Sequence, residues 1–464
     1  MQAKKKDFSE WYNEILESAE LSDKRYPVKG MNIWLPYGLK AMNLIDAATR
    51  RYNEEFGIDE VSFPVLITRN QLEVEFEHLK GFEGQLYWVT RAGKDQLDVE
   101  LALRPTSEAA IYPMFSLWIR NHADLPKKVF QICSVYRYET KHTRSFLRMR
   151  EFRFYEAHTA HVNYEDAEKQ IRDYMGIWKK LNEIFLIPNV INRRPDWDKF
   201  PGAQYSLAVD SIMPDGRTLQ VATMHQYGEN FSRTYDIKYS DENGEQRYVS
   251  QTTYGMSERL LGGMIGIHGD DKGLIFPPEI APIQVIIVPI PSEKADISGF
   301  SAMVNERLKA AGIRSSVDTR DNYTPGWKYN YWEMKGVPVR IEVGEREVNE
   351  GRITVIIRSS KGRKTFTLAE LETAIHHSIS EHGRKLFENS EAVIRENVKE
   401  ATTVEEMKQP FTFFAYWCGR RECSDEIERV AEKSCLGVSV SHPGKGKCIV
   451  CGADGERSMF SRTY

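Results

Sequence analysis

Cysteine is scarce in this chain: six among 464 residues, five of them after residue 417. That distribution excludes a disulfide framework holding the whole chain, the device of small secreted scaffolds. Long apolar runs are missing as well. No stretch approaches the ~18 unbroken apolar residues of a membrane-spanning helix. The first residues carry Lys4, Lys5 and Lys6 but no apolar segment behind them, so no secretory signal is expected, and the expected location is cytoplasmic with no membrane partner. An excess of positive charge is lacking too: 63 Lys and Arg stand against 67 Asp and Glu, a net charge of −4. Such a balance does not announce nucleic acid, yet a local basic surface would still serve RNA binding. Neither a Walker lysine loop nor a kinase glycine loop occurs, which removes support for a general α/β ATP-binding protein. There is no internal repeat and no low-complexity tract.

What is present is a chain of ordinary globular composition, long enough for a large core and about three domains. Its most informative tract runs from Pro126 to Phe154, PKKVFQICSVYRYETKHTRSFLRMREFRF. Val129, Gln131, Cys133 and Val135 alternate with Phe130, Ile132, Ser134 and Tyr136, the period of a half-buried strand. A basic loop follows, then a returning arm through Arg148, Arg150, Glu151 and Phe152. Arginines and glutamates spaced along paired strands are costly to bury without partners. A nucleotide would supply them: a guanidinium fork suits phosphate, a glutamate accepts from an amino group, and Phe152 stacks on a flat base. The competing reading is a solvated charged ribbon.

The company this tract keeps decides between them. It resembles motif 2 of the class II aminoacyl-tRNA synthetases, with Arg137, Glu139, Arg148 and Phe152 in the expected order. Residues 254–269, YGMSERLLGGMIGIHG, resemble motif 3, with Arg259 opening an apolar helix. Residues 37–67 resemble motif 1: Leu39, Met42, Ile45, Tyr52 and Phe56 mark an apolar helix face, Gly57 is a natural cap, and a strand carrying Pro64 follows. Thr106-Ser107-Glu108 is similar to the TxE loop of the prolyl, threonyl, seryl and glycyl subclass. FLRMREF, GRTLQVATMHQYGENFS (216–232), PGWKYNYWEMKGVPVRIEVG (325–344) and the terminal Ser-Arg-Thr-Tyr464 resemble the prolyl-tRNA synthetases of archaeal and eukaryotic type over nearly the whole chain.

The resemblance implies an α+β catalytic domain (1–278) built on a six- to seven-stranded antiparallel sheet. An α/β anticodon-binding domain (283–380) and a small α/β C-terminal zinc domain (400–464) follow it. Pro277, Pro278 and Pro282 read as a linker between the first two, and 369–400 as a helical connector. Residues 7–20 read as an amphipathic helix, and the tract between motifs 2 and 3 as sheet throughout, with no editing insertion.

The implied reaction joins L-proline to ATP, giving prolyl-adenylate, and then transfers proline to tRNA(Pro). Both first reactants are anions, so the site must chiefly position and neutralise. The resemblance assigns Arg137 to the α-phosphate and the proline carboxylate, and Arg148 and Arg259 to the γ-phosphate. Phe152 and Glu139 receive adenine, and Gln220, Thr223 and Ser257 the rest of the ATP, with Mg2+ bridging its phosphates. Thr106, Glu108 and His225 surround the proline ammonium; Phe154, Tyr155, Glu156 and His158 are candidates for the pocket wall. Glu333, Arg340, Arg346 and Glu347 match anticodon readers, with Lys364 a weaker candidate, and motif 1 implies a homodimer. Tyr464 is expected to reach toward the active site.

Cys418-x4-Cys423 and Cys448-x2-Cys451 form a tetrahedral zinc pattern, structural because four thiolates leave no open position; Cys435 reads as an ordinary buried cysteine. Two rivals remain. A synthetase for another small amino acid, such as threonine, shares the TxE loop but not FLRMREF. A non-catalytic paralogue would typically have lost motif arginines, and Arg137, Arg148 and Arg259 are all present.

Overall fold

The computed structural model describes residues 5–74 and 83–464. Its backbone is one twelve-stranded, mostly antiparallel sheet, together with a separate five-stranded sheet. The N-terminal region contributes seven strands to the large sheet, in the order Asn189–Arg193, Tyr205–Ile212, Thr218–Gly228, Ser250–Ser257, Glu151–His161, Lys127–Tyr136 and Asp59–Glu60. The last of these pairs parallel, Asp59 opposite Val129. The expected hairpin is present: Lys127–Tyr136 and Glu151–His161 pair along their length, with Gln131 opposite Glu156 and Cys133 opposite Phe154.

Alternation sorts these strands into a cleft face and a core face. On the Glu151–His161 strand, Phe152, Phe154, Glu156 and His158 share one face. Arg153 and Tyr155 point to the other. There the motif 1 helix, Pro36–Glu55, meets them: Asp46 pairs with Arg153, and Asn53 accepts from the Tyr155 hydroxyl at 2.6 Å. Tyr155 is therefore a core residue and not a wall of the pocket. The buried stripe of that helix runs through Ala41, Met42, Ile45, Ala48 and Thr49. Leu39 falls just beyond its edge and is exposed.

The tract between motifs 2 and 3 is not sheet throughout. Asn163 caps a 22-residue helix, Tyr164–Phe185, through a bond from the Asp166 N–H. Ala167, Ile171, Tyr174, Trp178, Leu181 and Phe185 recur at helical spacing and cover the back of the sheet. The N-terminal helix, Phe8–Ser18, buries Trp11, Tyr12 and Ile15 in the same core.

The second sheet has the order Ser315–Val317, Val285–Pro289, Val339–Val343, Arg352–Ile357, Lys364–Thr367, parallel in its first three strands and antiparallel after. The prolines at 277–282 form a clamped joint. Arg314 donates to the carbonyls of Pro278 (2.8 Å) and Ala281 (3.0 Å), and Arg358 forks onto Asp270. The helix Leu371–Asn397 then runs back along both units.

The C-terminal strands do not stand apart. Ser434–Ser439 pairs with Asn189–Arg193, which carries the large sheet on into Asp454–Ser461, Thr412–Trp417 and Val398–Glu400. The seam needs a glycine: Gly437 has φ +98°, and a Cβ there would sit 1.9 Å from the Arg193 carbonyl oxygen.

Candidate active site and metal centre

A cleft of about 360 Å³ opens on the cleft face of the large sheet, between the motif 2 hairpin and the start of the helix Arg259–His268. Arg137, Glu139, Arg148, Phe152, Gln220, Thr223, Ser257 and Arg259, all expected from the sequence, line it together.

Each arginine is held by main-chain oxygen. Arg137 follows the first arm of the hairpin and donates from Nε to the Pro105 carbonyl at 2.9 Å. Arg259 donates to the Leu147 carbonyl at 2.8 Å. Arg148 reaches the terminal Tyr464 oxygen at 3.3 Å and lies 4.0 Å from the Glu139 carboxylate. Burial, then the Arg259 charge, lowers Arg137 to about 10, so it stays cationic at neutral pH. Burial, then Arg148, lowers Arg259 as well. Three crowded guanidiniums that repel one another form a basin for an anion.

The floor is aromatic. Phe152 and Phe154 meet edge to face at 6.0 Å, and the Arg137 guanidinium lies 5.3 Å from the Phe152 ring. Gly255 makes room: a Cβ there would come within 3.0 Å of the Phe154 ring.

Thr106, Glu108 and His225 do not line this cleft; they lie buried next to it, beside the cleft residue Phe200, and there the charge changes sign. Thr106 and Tyr227 donate their hydroxyls to the two oxygens of Glu108, which is 3% exposed. His225 bonds the Ser206 hydroxyl at 2.7 Å and lies between Phe200 and Tyr227. Burial, then neighbouring His158, lowers it to about 3, so its imidazole is neutral. Glu156 accepts from Ser107, Gln131 and His158; His158 also bonds Tyr112. Burial opposes both charges of the Glu156–His158 pair, but the pairing, joined by Ser107 and Gln131 at Glu156 and by the Glu108 charge at His158, lowers Glu156 and raises His158.

The sequence reading missed Phe200, Gln85 and Tyr227. Phe200 arrives from the loop before Tyr205–Ile212 and lines the cleft with Gln85. No periodic signal marks a single aromatic in a loop; Tyr227 was within reach, two residues beyond His225 on the same strand face.

Of the four anticodon candidates, two meet. Glu333 and Arg340 line one cavity of about 520 Å³ with Trp332, Arg358 and Lys361. Arg340 lies 4.3 Å over the Tyr329 ring and pairs with Glu342, while Glu333 pairs with Lys272. Arg346 is exposed and pairs with Glu350; Glu347 accepts from the Gly344 N–H and the Thr354 hydroxyl, a helix-capping arrangement. Lys364 pairs with Glu381.

Cys418, Cys423, Cys448 and Cys451 converge, all four sulfurs within 4.8 Å of one another. Cys418 stands 3.6 Å from Cys423 and 3.7 Å from Cys451. A tetrahedron with ~2.3 Å metal–sulfur bonds has edges of about 3.8 Å, so the donor set fits zinc. Cys435 is buried, and burial pushes its thiol up to about 12.

Residues 87–268 match the family model of the tRNA synthetase class II core domain (G, H, P, S and T), and residues 284–377 that of the anticodon binding domain. A proline–tRNA ligase from Thermoplasma acidophilum is 56% identical over 464 residues, covering all of both chains. One from Thermococcus kodakarensis is 49% identical, covering 99% of this chain and 98% of its own. Among solved structures, Giardia lamblia prolyl-tRNA synthetase in complex with prolyl-adenylate superposes with a TM-score of 0.95 at 33% identity, covering 99% of each chain. The Cryptosporidium parvum enzyme complexed with halofuginone and AMPPNP gives 0.95 at 32%, covering 100% of this chain and 99% of that one. With this sheet, this arginine-lined cleft and end-to-end identity of that order, the chain belongs to the prolyl-tRNA synthetases, the proline–tRNA ligases of class II.

Proposed function

We propose that the cleft is where this chain joins L-proline to ATP, and that its residues act as their placement suggests. The observation that carries the reading is a change of charge between neighbouring regions: Arg137, Arg148 and Arg259 line the cleft, while Glu108, whose charge acts on Arg137, and a neutral His225 lie buried beyond that lining. Prolyl-adenylate has the matching order of charges, phosphate outside and ammonium inside.

In activation, a proline carboxylate oxygen attacks the α-phosphorus, the new P–O bond forms, and pyrophosphate leaves with the electrons of the broken bond. Arg137 holds the carboxylate and the α-phosphate together, which lowers the repulsion between two anions and stabilises the charge gathering on phosphorus. Arg148 and Arg259 take the outer phosphates, Phe152 and Glu139 the adenine, and Gln220, Thr223 and Ser257 the remainder of the nucleotide. Mg2+ arrives with ATP and neutralises phosphate charge. Glu108 and Thr106 hold the secondary ammonium, with His225 beside them. In transfer, a hydroxyl of the terminal ribose of tRNA(Pro) attacks the prolyl carbonyl and AMP leaves. Glu333 and Arg340 would read anticodon base edges from their shared cavity, with Arg346 at the periphery and Glu347 acting through the helix it caps.

The four cysteines would hold a structural Zn2+, closing the turn between Lys445–Lys447 and Asp454–Ser461 onto the strand Thr412–Trp417. The chain would work as a cytoplasmic homodimer through its motif 1 region, with Asp59–Glu60 at the sheet edge, and light scattering of the purified protein checks the mass.

ATP–pyrophosphate exchange with each standard amino acid, without tRNA, tests the core of the proposal. Exchange dependent on proline and lost in Arg137→Ala is the expected result. Exchange with a different amino acid would overturn the specificity, and none with any would overturn the activity.

A further inference from the structure

We propose that Arg194 is a positioning residue for ATP: it orients the Gln220 amide so that only N–H donors face the nucleotide, and it ties that amide to the C-terminal unit. The inference rests on the reading of Gln220 as a nucleotide ligand given above.

Arg194 follows the strand Asn189–Arg193 and is 8% exposed. Every arm of its guanidinium is engaged. Nη1 donates to Asp210 at 2.8 Å and to the Leu436 carbonyl at 2.7 Å. Nη2 donates to Asp210 at 2.6 Å and to Gln220 Oε1 at 2.9 Å. Nε lies 3.4 Å from Asp198. Asp210 and Gln220 are opposed on adjacent strands, so one side chain spans both. Leu436 belongs to Ser434–Ser439, the strand that joins the C-terminal unit to the large sheet.

The consequence for Gln220 follows from the donor inventory. Arginine has donors only, so the glutamine must turn its oxygen to Arg194. Its Nε2, with two hydrogens, then turns away. Gln220 is exposed and lines both the nucleotide cleft and a second cavity of about 380 Å³ behind it, which Arg148, Arg194, Arg259 and Tyr464 also line. Ribose and phosphate oxygens accept hydrogen bonds, so the fixed orientation is the productive one. A free amide would present its oxygen to them in part of its orientations. Arg194 itself, committed on all sides, acts through Gln220.

The test is steady-state pyrophosphate exchange with ATP and proline varied separately, with melting temperatures measured alongside. Arg194→Lys keeps a charge for Asp210 but not the fork, and should raise the ATP KM about fivefold, the worth of one net hydrogen bond, with the proline KM unchanged. Gln220→Ala should raise it at least as much, and the double variant should be no worse than Gln220→Ala alone. Additive effects, equal movement of the proline KM, or a silent Arg194→Lys beside an impaired Gln220→Ala would overturn the positioning role. A silent Gln220→Ala would instead overturn the nucleotide reading beneath it. Should Arg194→Lys melt far below the parent, Gln220→Glu decides: it keeps the bond to Arg194 yet offers no donor. Its expected result is a raised ATP KM in a protein as stable as the parent, and an unchanged ATP KM would refute the proposal.

Discussion

Replacing Glu108 by glutamine removes one negative charge and changes almost nothing in shape. The carboxylate is 3% exposed and accepts from Thr106 and Tyr227, and a glutamine oxygen still accepts from the Tyr227 hydroxyl. His225 is neutral down to a pKa of about 3 and does not respond, whereas His158 loses part of the charge that holds its pKa up. On the proposed role, the lost interaction is a charge-assisted hydrogen bond to a secondary ammonium, about 1.5–3 kcal/mol net. That corresponds to a proline KM raised about 10- to 150-fold. A bare charge pair at 4 Å in a medium of dielectric ~20 is worth about 4 kcal/mol, which bounds the effect from above. Arg137, Arg148 and Arg259 keep their main-chain anchors, so the ATP KM should stay within about twofold. Pyrophosphate exchange with each substrate varied in turn separates the two constants. A proline KM that moves less than about threefold, or an ATP KM that rises in step with it, would refute the assignment of Glu108 to the amine.

Purified protein should carry one zinc per chain, and Cys448→Ser should lose it and melt lower; unchanged zinc by elemental analysis would end that assignment. Arg340→Ala should raise the tRNA KM in aminoacylation about 5- to 150-fold, the range of one base contact, and leave proline-dependent exchange intact; equal loss of both would remove Arg340 from anticodon reading. Stability should fall as pH drops from 7 to 5. Burial lowers His161, His268 and His382 to about 4 and His225 to about 3, so below ~6.5 the unfolded chain takes up protons that the folded one refuses. Each such histidine costs about 2 kcal/mol over that interval, while His158, raised by Glu156 against its burial, acts the opposite way. His268→Gln should flatten the pH dependence of the urea midpoint accordingly, and an unchanged slope would refute the account.

The motif 2 hairpin was legible because a strand broadcasts its faces: the alternation from Val129 to Tyr136 predicts which residues share the cleft side, and pairing with Glu151–His161 follows. The same rule explains why Phe154 and Tyr155 could not both be walls. Adjacent strand residues face opposite ways, and only Phe154 lines the cleft. The helix Tyr164–Phe185 was equally legible by its spacing, but the flanking motifs drew the reading toward sheet. Loop residues such as Phe200 carry no period, so only the folded chain brings them in. The cysteines were found by spacing, yet their unit's continuity with the large sheet was not. Edge-to-edge pairing such as Val438 opposite Arg193 rests on main-chain hydrogen bonds, which leave almost no trace in side chains beyond the glycine at 437.

That continuity changes how the arginine-lined cleft is bounded. Tyr464 donates its hydroxyl to Asp215 at 2.7 Å, lies under Arg217 at 4.1 Å, and presents its main-chain oxygen to Arg148. Leu436 reaches Gln220 through Arg194. Two side chains of the cleft therefore take their positions from the last thirty or so residues. A rigid sheet transmits such placement because its strands cannot slide without reversing every side chain. A zinc held by the four cysteines would then have a consequence for chemistry without touching a substrate. By closing the turn between Lys445–Lys447 and Asp454–Ser461, it would hold the strand that pairs with Ser434–Ser439 and ends in the tail against Arg148. Metal loss should on this reasoning raise the ATP KM before it abolishes folding, and leave the proposed proline site, where Glu108 is held by Thr106 and Tyr227, the last to fail.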